Sequence, residues 1–597
     1  MDRLIKVIMM KKYILILTIV IFNNFLFSHG QQDSYEANRI PQEKIYVHYN
    51  TSLLFNGENI YYKVYCLNAD TNKTSNISKI AYIELISSDK KSVFKHKVNL
   101  KSGVGQGDFF IPVSVLSGNY KLIAYTQWMR NAGENNLFQA DISIINTFQS
   151  NQDIILNSND TLIPSFSASI TNNNSKDRIK TANQHLSLRL NKKSFKQREK
   201  VSLTLINFDN STLFGNYSIS VKKIYPLKTV EKITSESYTD LNRNSNIDQI
   251  STKNTPSFLP ELRGNLISGN VIYKATQTRA HNIKIGLSIP GEQYLFKVAN
   301  TNDKGVFYFN IDENYNNNTY ANFQIIGDEK EKFQIIINEQ KPIDYNHLTF
   351  NSFKINFDLK DIILQRSIYN QIENAYATYK QDSIIETSLK IPFYSELAEE
   401  YLLDDYTRFP TIRETVVEII KDVSINKNGD TYDFNLKGYN YNRSNLPTLI
   451  LVDGLLVEDH GSLIDFDART IKKISVVRDK YIYSSKLFQG VISMETINND
   501  YYKNKNRSSE DYIKNIKLLK PVAYKKYFNQ VYADNDAQNR IPDYRSQLFW
   551  EPNLNLNKED TQLTFFTSDN TGHYEICIEG FTKNGVPITI RDIITVE

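Results

Sequence analysis

The densest group of ligand-type side chains in this sequence is Glu458-Asp459-His460, just past the turn dipeptide Asp453-Gly454. Two carboxylates and an imidazole are metal-binding or proton-shuttling chemistry. No second His or Cys group stands at ligand spacing, so a solvated loop is expected. Asp404-Asp405 would suit calcium or paired-carboxylate catalysis, but adjacent residues point differently and no EF-hand pattern surrounds them. A local role is expected, pairing with Arg408 or capping the structure ahead of Thr411. Gly103-Val104-Gly105-Gln106-Gly107 has no P-loop Lys and leads into Phe109-Phe110-Ile111-Pro112, a strand, where a phosphate cradle needs a helix N-terminus. Ser92-Val93-Phe94-Lys95 fits Ser-x-x-Lys without its partner motifs. His-Glu-x-x-His, Gly-x-Ser-x-Gly and Walker A patterns are absent. The expectation is no catalytic residue, no metal and no cofactor.

The two cysteines, Cys66 and Cys577, lie in strand-like runs, and buried free thiols are favoured over a long-range disulfide. Lys+Arg total 70 against 66 Asp+Glu, a formal charge of +4. Nucleic acid needs a basic stripe that this balance does not supply.

The elements that must position these groups are mostly strands. The chain has 597 residues with 38 Tyr and 32 Phe but only 22 Gly and 15 Pro, a composition suited to half-buried strands. At ~150 residues per domain, roughly four domains are expected. Lys11-Lys12, the apolar run Tyr13–Phe22 and Ser28-His29-Gly30 predict a secretory signal over 1–30. The run is short for a membrane span and is broken by Asn23-Asn24. Strand and turn signals from 38 to 145 predict a sandwich. A polar linker (146–184), further strands (185–225) and a second linker (226–260) follow. A small Ig-like sandwich is predicted at 261–345.

The period then changes. Leu364, Ile368, Ile372, Tyr376 and Tyr379 fall at helical spacing within a connector over 346–400. Thr411-Ile412-Arg413-Glu414 is a capping box, opening a helix whose apolar face is Val416, Ile419, Ile420 and Val423. Asn428-Gly429 and Asp453-Gly454 predict hairpins, and Ile471–Val477 and Val491–Thr496 predict strands. Residues 401–500 thus read as an α+β unit. A linker at 501–540 and strands at 541–597 close the chain.

Two families share these motifs. Ile40-Pro41-Gln42-Glu43-Lys44-Ile45-Tyr46-Val47, Gly57-Glu58 and Gly118-Asn119-Tyr120-Lys121-Leu122-Ile123-Ala124-Tyr125-Thr126 resemble the macroglobulin-type sandwich of bacterial α-macroglobulin-like proteins. The tail, Ser546–Pro552 with Phe566–Asp569 and Ile578-Glu579-Gly580, is similar to a later part of that superfamily. Residues 401–500 resemble the plug domain of TonB-dependent receptors, through the Thr411–Val423 helix, Leu451-Val452-Asp453-Gly454, Ile471–Arg478 and Phe488–Ser493. The plug family usually has Gly where this chain has Asp479. The 261–345 segment resembles the carboxypeptidase-regulatory-like sandwich that often precedes such plugs. The fold class implied is mainly β, with tandem Ig-like and macroglobulin-type sandwiches plus one small α+β plug-like domain.

The resemblances imply function as well. A macroglobulin thioester needs Cys-Gly-Glu-Gln, and Pro290-Gly291-Glu292-Gln293 lacks the nucleophile. A receptor needs a barrel of many ~10-residue strands after its plug, and the residues after 500 read as a soluble sandwich. The expectation is a non-enzymatic envelope protein, exported to the periplasm or the periplasmic face of a gram-negative outer membrane. It would bind an outer-membrane barrel or other envelope protein, accessory to a receptor or transport system, with peripheral membrane association and no small-molecule substrate. Plug resemblance places the partner-binding residues at Asp453, Gly454, Glu458, Asp459, His460, Arg478 and Asp479. The alternative is a thioester-less endopeptidase inhibitor with Glu231–Phe258 as its bait.

Overall fold

The computed structural model describes residues 40–156, 186–207, 215–227, 229–243, 256–312, 320–385, 392–438, 446–483, 486–505, 510–532, 540–556 and 560–597. The expected export signal at 1–30 lies outside the described residues.

Strand-forming alternation begins at once. Strands β1 (Glu43–Tyr49), β2 (Leu53–Phe55), β3 (Asn59–Asn68), β4 (Ile80–Ser87), β5 (Ser92–Asn99), β6 (Val104–Phe110), β7 (Gly118–Tyr125) and β8 (Phe138–Ile145) make two sheets, ordered β1-β3-β6 and β2-β8-β7-β4-β5. Every residue of β1 is buried, because its sheet is covered twice. One cover is its partner sheet. The other is a second sandwich, met through His48 Nδ1 with Ser218 Oγ (2.7 Å) and the Tyr65 hydroxyl donating to the Glu579 carbonyl (3.1 Å).

That second sandwich is assembled from both ends of the chain. Strands β9 (Leu186–Leu190), β10 (Ser194–Phe195), β11 (Lys200–Asn207) and β12 (Gly215–Lys223) combine with four from the C-terminus. A third sandwich contains β13 (Asn265–Tyr273), β14 (Lys284–Ile289), β15 (Leu295–Asn300), β16 (Val306–Ile311), β17 (Tyr320–Ile325) and β18 (Phe333–Ile337). Between them runs α1 (Ser235–Arg243), and after them α2 (Lys360–Ala375) and the short β19 (Ser383–Ile384).

The α+β unit follows. It comprises β20 (Glu399–Leu402), α3 (Ile412–Glu418), β21 (Val423–Asn428), β22 (Thr431–Leu436), β23 (Leu449–Val452), β24 (Leu455–Leu456), α4 (Gly461–Ile464), β25 (Ile471–Val477), β26 (Tyr481–Tyr483), β27 (Lys486–Phe488), β28 (Val491–Thr496) and α5 (Tyr501–Lys505). The chain ends with β29 (Ile513–Lys517), β30 (Lys525–Lys526), β31 (Gln547–Leu556), β32 (Asp560–Phe566), β33 (Gly572–Thr582) and β34 (Pro587–Val596).

The register shows nested insertions. Sheets β10-β34-β33-β12-β31 and β32-β11-β9 share one core, with Leu203, Ile219, Phe565, Ile576 and Ile590. The described residues of 185–225 and 541–597 therefore form a single sandwich. The third sandwich is β16-β13-β18 over β15-β14-β17-β29, so it too is completed only after the α+β unit.

This corrects the expectation of a plain linker over 501–540. Ile516 pairs with Ala321, and Tyr512, Ile516 and Leu518 pack on the third core. The 226–260 connection is likewise tied down in part. Ser235 is buried and bonded to Glu579, Ile588 and Thr589, and Tyr238 enters the first core. Of the 146–184 connection, 146–156 is described; Leu156 bridges to Ile355.

Period-two alternation places both faces of the α+β sheet, ordered β20-β25-β28-β23-β24. Ile450, Val452, Ile492 and Met494 face one core with Ile412 and Val416 of α3 and Leu463 of α4. Leu449, Leu451 and Val491 face another with Phe296, Val298 and Ile326 of the third sandwich. The capping box at Thr411 forms, but the helix stops at Glu418 instead of running to Val423. Asp422 turns to a φ of 65° and Val423 opens β21. No helix among the described residues is long and apolar enough to cross a membrane.

Candidate functional site

Asp453 and Gly454 take φ of 48° and 81°, the left-handed pair a tight two-residue hairpin requires. The Asp453 carboxylate is buried and accepts from Thr496 N (2.7 Å), Thr496 Oγ1 (2.6 Å) and Tyr501 N (3.1 Å), pinning the end of β28. Its carbonyl accepts from Gly291 N at 3.1 Å. Pro290-Gly291-Glu292-Gln293 is thus the β14–β15 connection, seated on this hairpin. Leu456 N donates to Ser288 Oγ (3.1 Å). The Glu458 carboxylate accepts from Gly327 N (3.2 Å), Lys330 Nζ (3.1 Å) and Gln324 Nε2 (3.4 Å), all in the third sandwich.

The remaining expected residues scatter. The Asp459 carbonyl accepts from Ser462 N and Oγ, while its side chain is exposed. His460 Nδ1 accepts from Phe434 N (3.2 Å), so the imidazole is neutral with its proton on Nε2. Burial lowers its pKa, with Asp433 and Asp459 pulling the other way. Arg478 pairs with Asp422 (2.8 Å) and donates to the Lys437 carbonyl (3.2 Å). Asp479 is exposed. Asp453, Gly454 and Glu458 therefore come together at an internal junction, and the loop expected to meet a partner meets the chain's own sandwich.

The open surface of the unit lies at the opposite edge of its sheet. β20 pairs with β25 on one side and with nothing among the described residues on the other. It is held in place by Lys473, which bridges Glu400 (2.9 Å) and Glu495 (3.0 Å). Leu402 (46% exposed) ends this strand, and Tyr406 (44%) follows four residues later. Arg408 ties the following loop down through Asp404 and the carbonyls of Arg469 and Ile471. Glu399-Glu400-Tyr401-Leu402 runs polar-polar-apolar-apolar, so no period-two signal marked this strand.

The other motifs are structural. Gly105 and Gly107 lie in β6 under Val98 and Tyr62, where an added Cβ would come within 2.5 and 2.3 Å of those side chains. The Ser92 hydroxyl donates to the Phe94 carbonyl, and Lys95 pairs with Glu84. Cys66 and Cys577 are free and buried. Among the described residues, no group of three or more His, Cys, Asp or Glu could hold a metal ion.

No family model matches this chain, and no curated protein matches it. Among solved structures it is similar to Salmonella alpha-2-macroglobulin reacted with methylamine, at 7% identity and a TM-score of 0.22, over 93% of this chain and 39% of that one. The native conformation of E. coli alpha-2-macroglobulin gives 9% and 0.23, over 93% and 40%. The trypsin-activated E. coli protein gives 8% and 0.21, over 94% and 42%. This chain spans about two fifths of their length.

Proposed function

We propose that this chain is an exported, non-catalytic binding protein of the cell envelope, accessory to an outer-membrane receptor or transport system, whose α+β unit is a fixed docking head. The partner adds an extended segment along β20 as a further strand. The observation that carries this reading is the open β20 edge, with the exposed Leu402 at its end and the exposed Tyr406 four residues on. An unpaired strand edge offers a row of backbone donors and acceptors, and neighbouring side chains supply selectivity. The seating of the opposite sheet face on the third sandwich supports a head that docks as part of the whole chain, without detaching as a plug.

The test is copurification from gently solubilised envelopes with tagged 31–597, against the same chain carrying Leu402→Asp and Tyr406→Asp. Both positions are exposed, so folding is retained. One envelope protein recovered in near-equal amount, and lost in the double variant, supports the reading. A partner kept by the variant, or a covalently trapped protease, overturns it.

A further inference from the structure

A separate cleft lies where α2 wedges between the first and second sandwiches. Arg366 forks Glu58 (2.8 and 2.7 Å) between the rings of Phe55 and Tyr225. Two turns of the wedge further on, Glu373 is joined by Lys380 (2.7 Å), beyond the helix end, to Asp543 (3.2 Å). The cleft beside them has room for about 180 Å³, and its walls include Tyr61, Lys222, Tyr527 and Trp550.

Sheet register brings a cation and an indole to this cleft. Ser220 and Lys222 share one face of β12. Ser220 is opposite Trp550 of β31, so Lys222 and Trp550 stand on the same face; the β12–β31 register shifts after Val221, and Lys222 itself meets Gln547. Lys222 is 8% exposed and Trp550 4%. Among the described residues, the Lys222 amine has no hydrogen-bond acceptor and no ion-pair partner. Glu58, the carboxylate acting on it electrostatically, is already forked by Arg366. Burial pushes the Lys222 amine down to about 8, with Glu58 opposing, so it stays charged at neutral pH. The Trp550 Nε1–H is buried without an acceptor as well. Proteins rarely leave a buried indole donor unmatched.

The other charged groups of the wall are matched. Glu373 accepts from Tyr544 N and Lys380, Asp382 accepts from Phe528 N, and Arg545 forks Asp543. Two N–H donors remain, one of them charged, beside aromatic surface. Tyr61 stacks on Trp550 at 6.0 Å and meets Tyr527 edge-on at 5.2 Å. A single uncompensated positive charge suits a monoanion, and the acids Glu373 and Asp382 disfavour a dianion such as phosphate.

We propose that this cleft binds a small organic carboxylate, its oxygens taken by Lys222 Nζ and Trp550 Nε1 and its apolar part laid against Trp550 and Tyr61. This site is independent of the β20 edge.

The chain has two tryptophans, and Trp128 is buried with its Nε1–H donating to the Pro41 carbonyl. Labelling the full chain with 5-fluorotryptophan therefore gives a cleft reporter and an internal reference. Benzoate is the probe and benzamide its neutral counterpart. One ¹⁹F resonance is expected to shift saturably with benzoate and not with benzamide, and Lys222→Gln is expected to abolish the shift. The proposal is overturned if neither resonance moves up to the solubility limit of benzoate, which would assign the cleft donors to water. Equal response to benzamide, or an unchanged response in Lys222→Gln, overturns it too. Should Lys222→Gln fail to fold, the contrast between the two probes on the unaltered chain decides.

Discussion

Gly454 and Tyr294 meet so closely that a Cβ on residue 454 would lie 2.2 Å from the Tyr294 Cβ. The tip of one hairpin thus touches the neighbouring sandwich through bare backbone, and the α+β unit has a single seat.

Gly454→Ala is expected to destabilise the chain by about 1–3 kcal/mol from overpacking, beyond the cost of a positive φ. Gly429→Ala is the control. It tips the β21–β22 hairpin at a φ of 63° with nothing within 4 Å of an added Cβ, so it is expected to cost about 1 kcal/mol. Urea melts of both variants check this, and limited proteolysis should cut Gly454→Ala faster between the unit and its sandwich.

Arg366→Met leaves Glu58 buried without its partner and is expected to cost about 3–5 kcal/mol. The double variant Glu58→Met, Arg366→Met should recover most of that. Burial works against the Glu58 carboxylate, but the charges of Arg366 and Lys222 hold its pKa below the ordinary value. A depressed folded pKa means stability that is present above the unfolded pKa and lost as pH falls through the folded one. The wild type should therefore lose stability below about pH 4, and the double variant should lose less.

Much of the α+β unit was legible because its signals are local. Ile471–Val477 and Val491–Thr496 are short runs rich in β-branched residues between turns and form β25 and β28 at those bounds. The capping box and the Asp453-Gly454 turn need only neighbouring residues. What was hidden depends on distant partners. Val423 continues a helical pattern, yet pairs with Leu436. β29 offers only two apolar residues and exists because β17 has an open side. Glu458 looks like a solvated charge, but its partners lie 128 to 134 residues upstream. Lys222, next to last in its strand, suggests a solvent face that another sandwich covers. Its lack of a partner is visible only in three dimensions.

Glu261 should make stability fall as pH rises towards neutrality. It is buried where the first and third sandwiches join, accepting from the Tyr82 hydroxyl (3.0 Å) and Leu266 N (3.3 Å). Burial raises its pKa to about 7, with Lys97, Leu266 and Tyr82 opposing. The folded state then holds a proton that the unfolded chain releases near about 4.3, so stability declines from there to about pH 7. Lys97, pushed down to about 8, titrates above that window. Melting temperatures across pH 5 to 7.5 are expected to fall for the wild type and to fall less for Glu261→Gln.

Both thiols should be inert in the native chain. Burial pushes Cys577 up to about 12 and Cys66 well above its ordinary value, which suppresses the reactive thiolate. Maleimide labelling is expected to be negligible before denaturation and to reach two equivalents after it. Fast labelling of the native chain would contradict this.

The most direct test of the docking head is a photo-crosslinking residue at Leu402 in cells making the full chain. The control is the same residue at Val586, which is equally exposed on the second sandwich. A single envelope protein is expected to crosslink from position 402 and not from 586. No adduct at 402, or the same adducts at both positions, would contradict it.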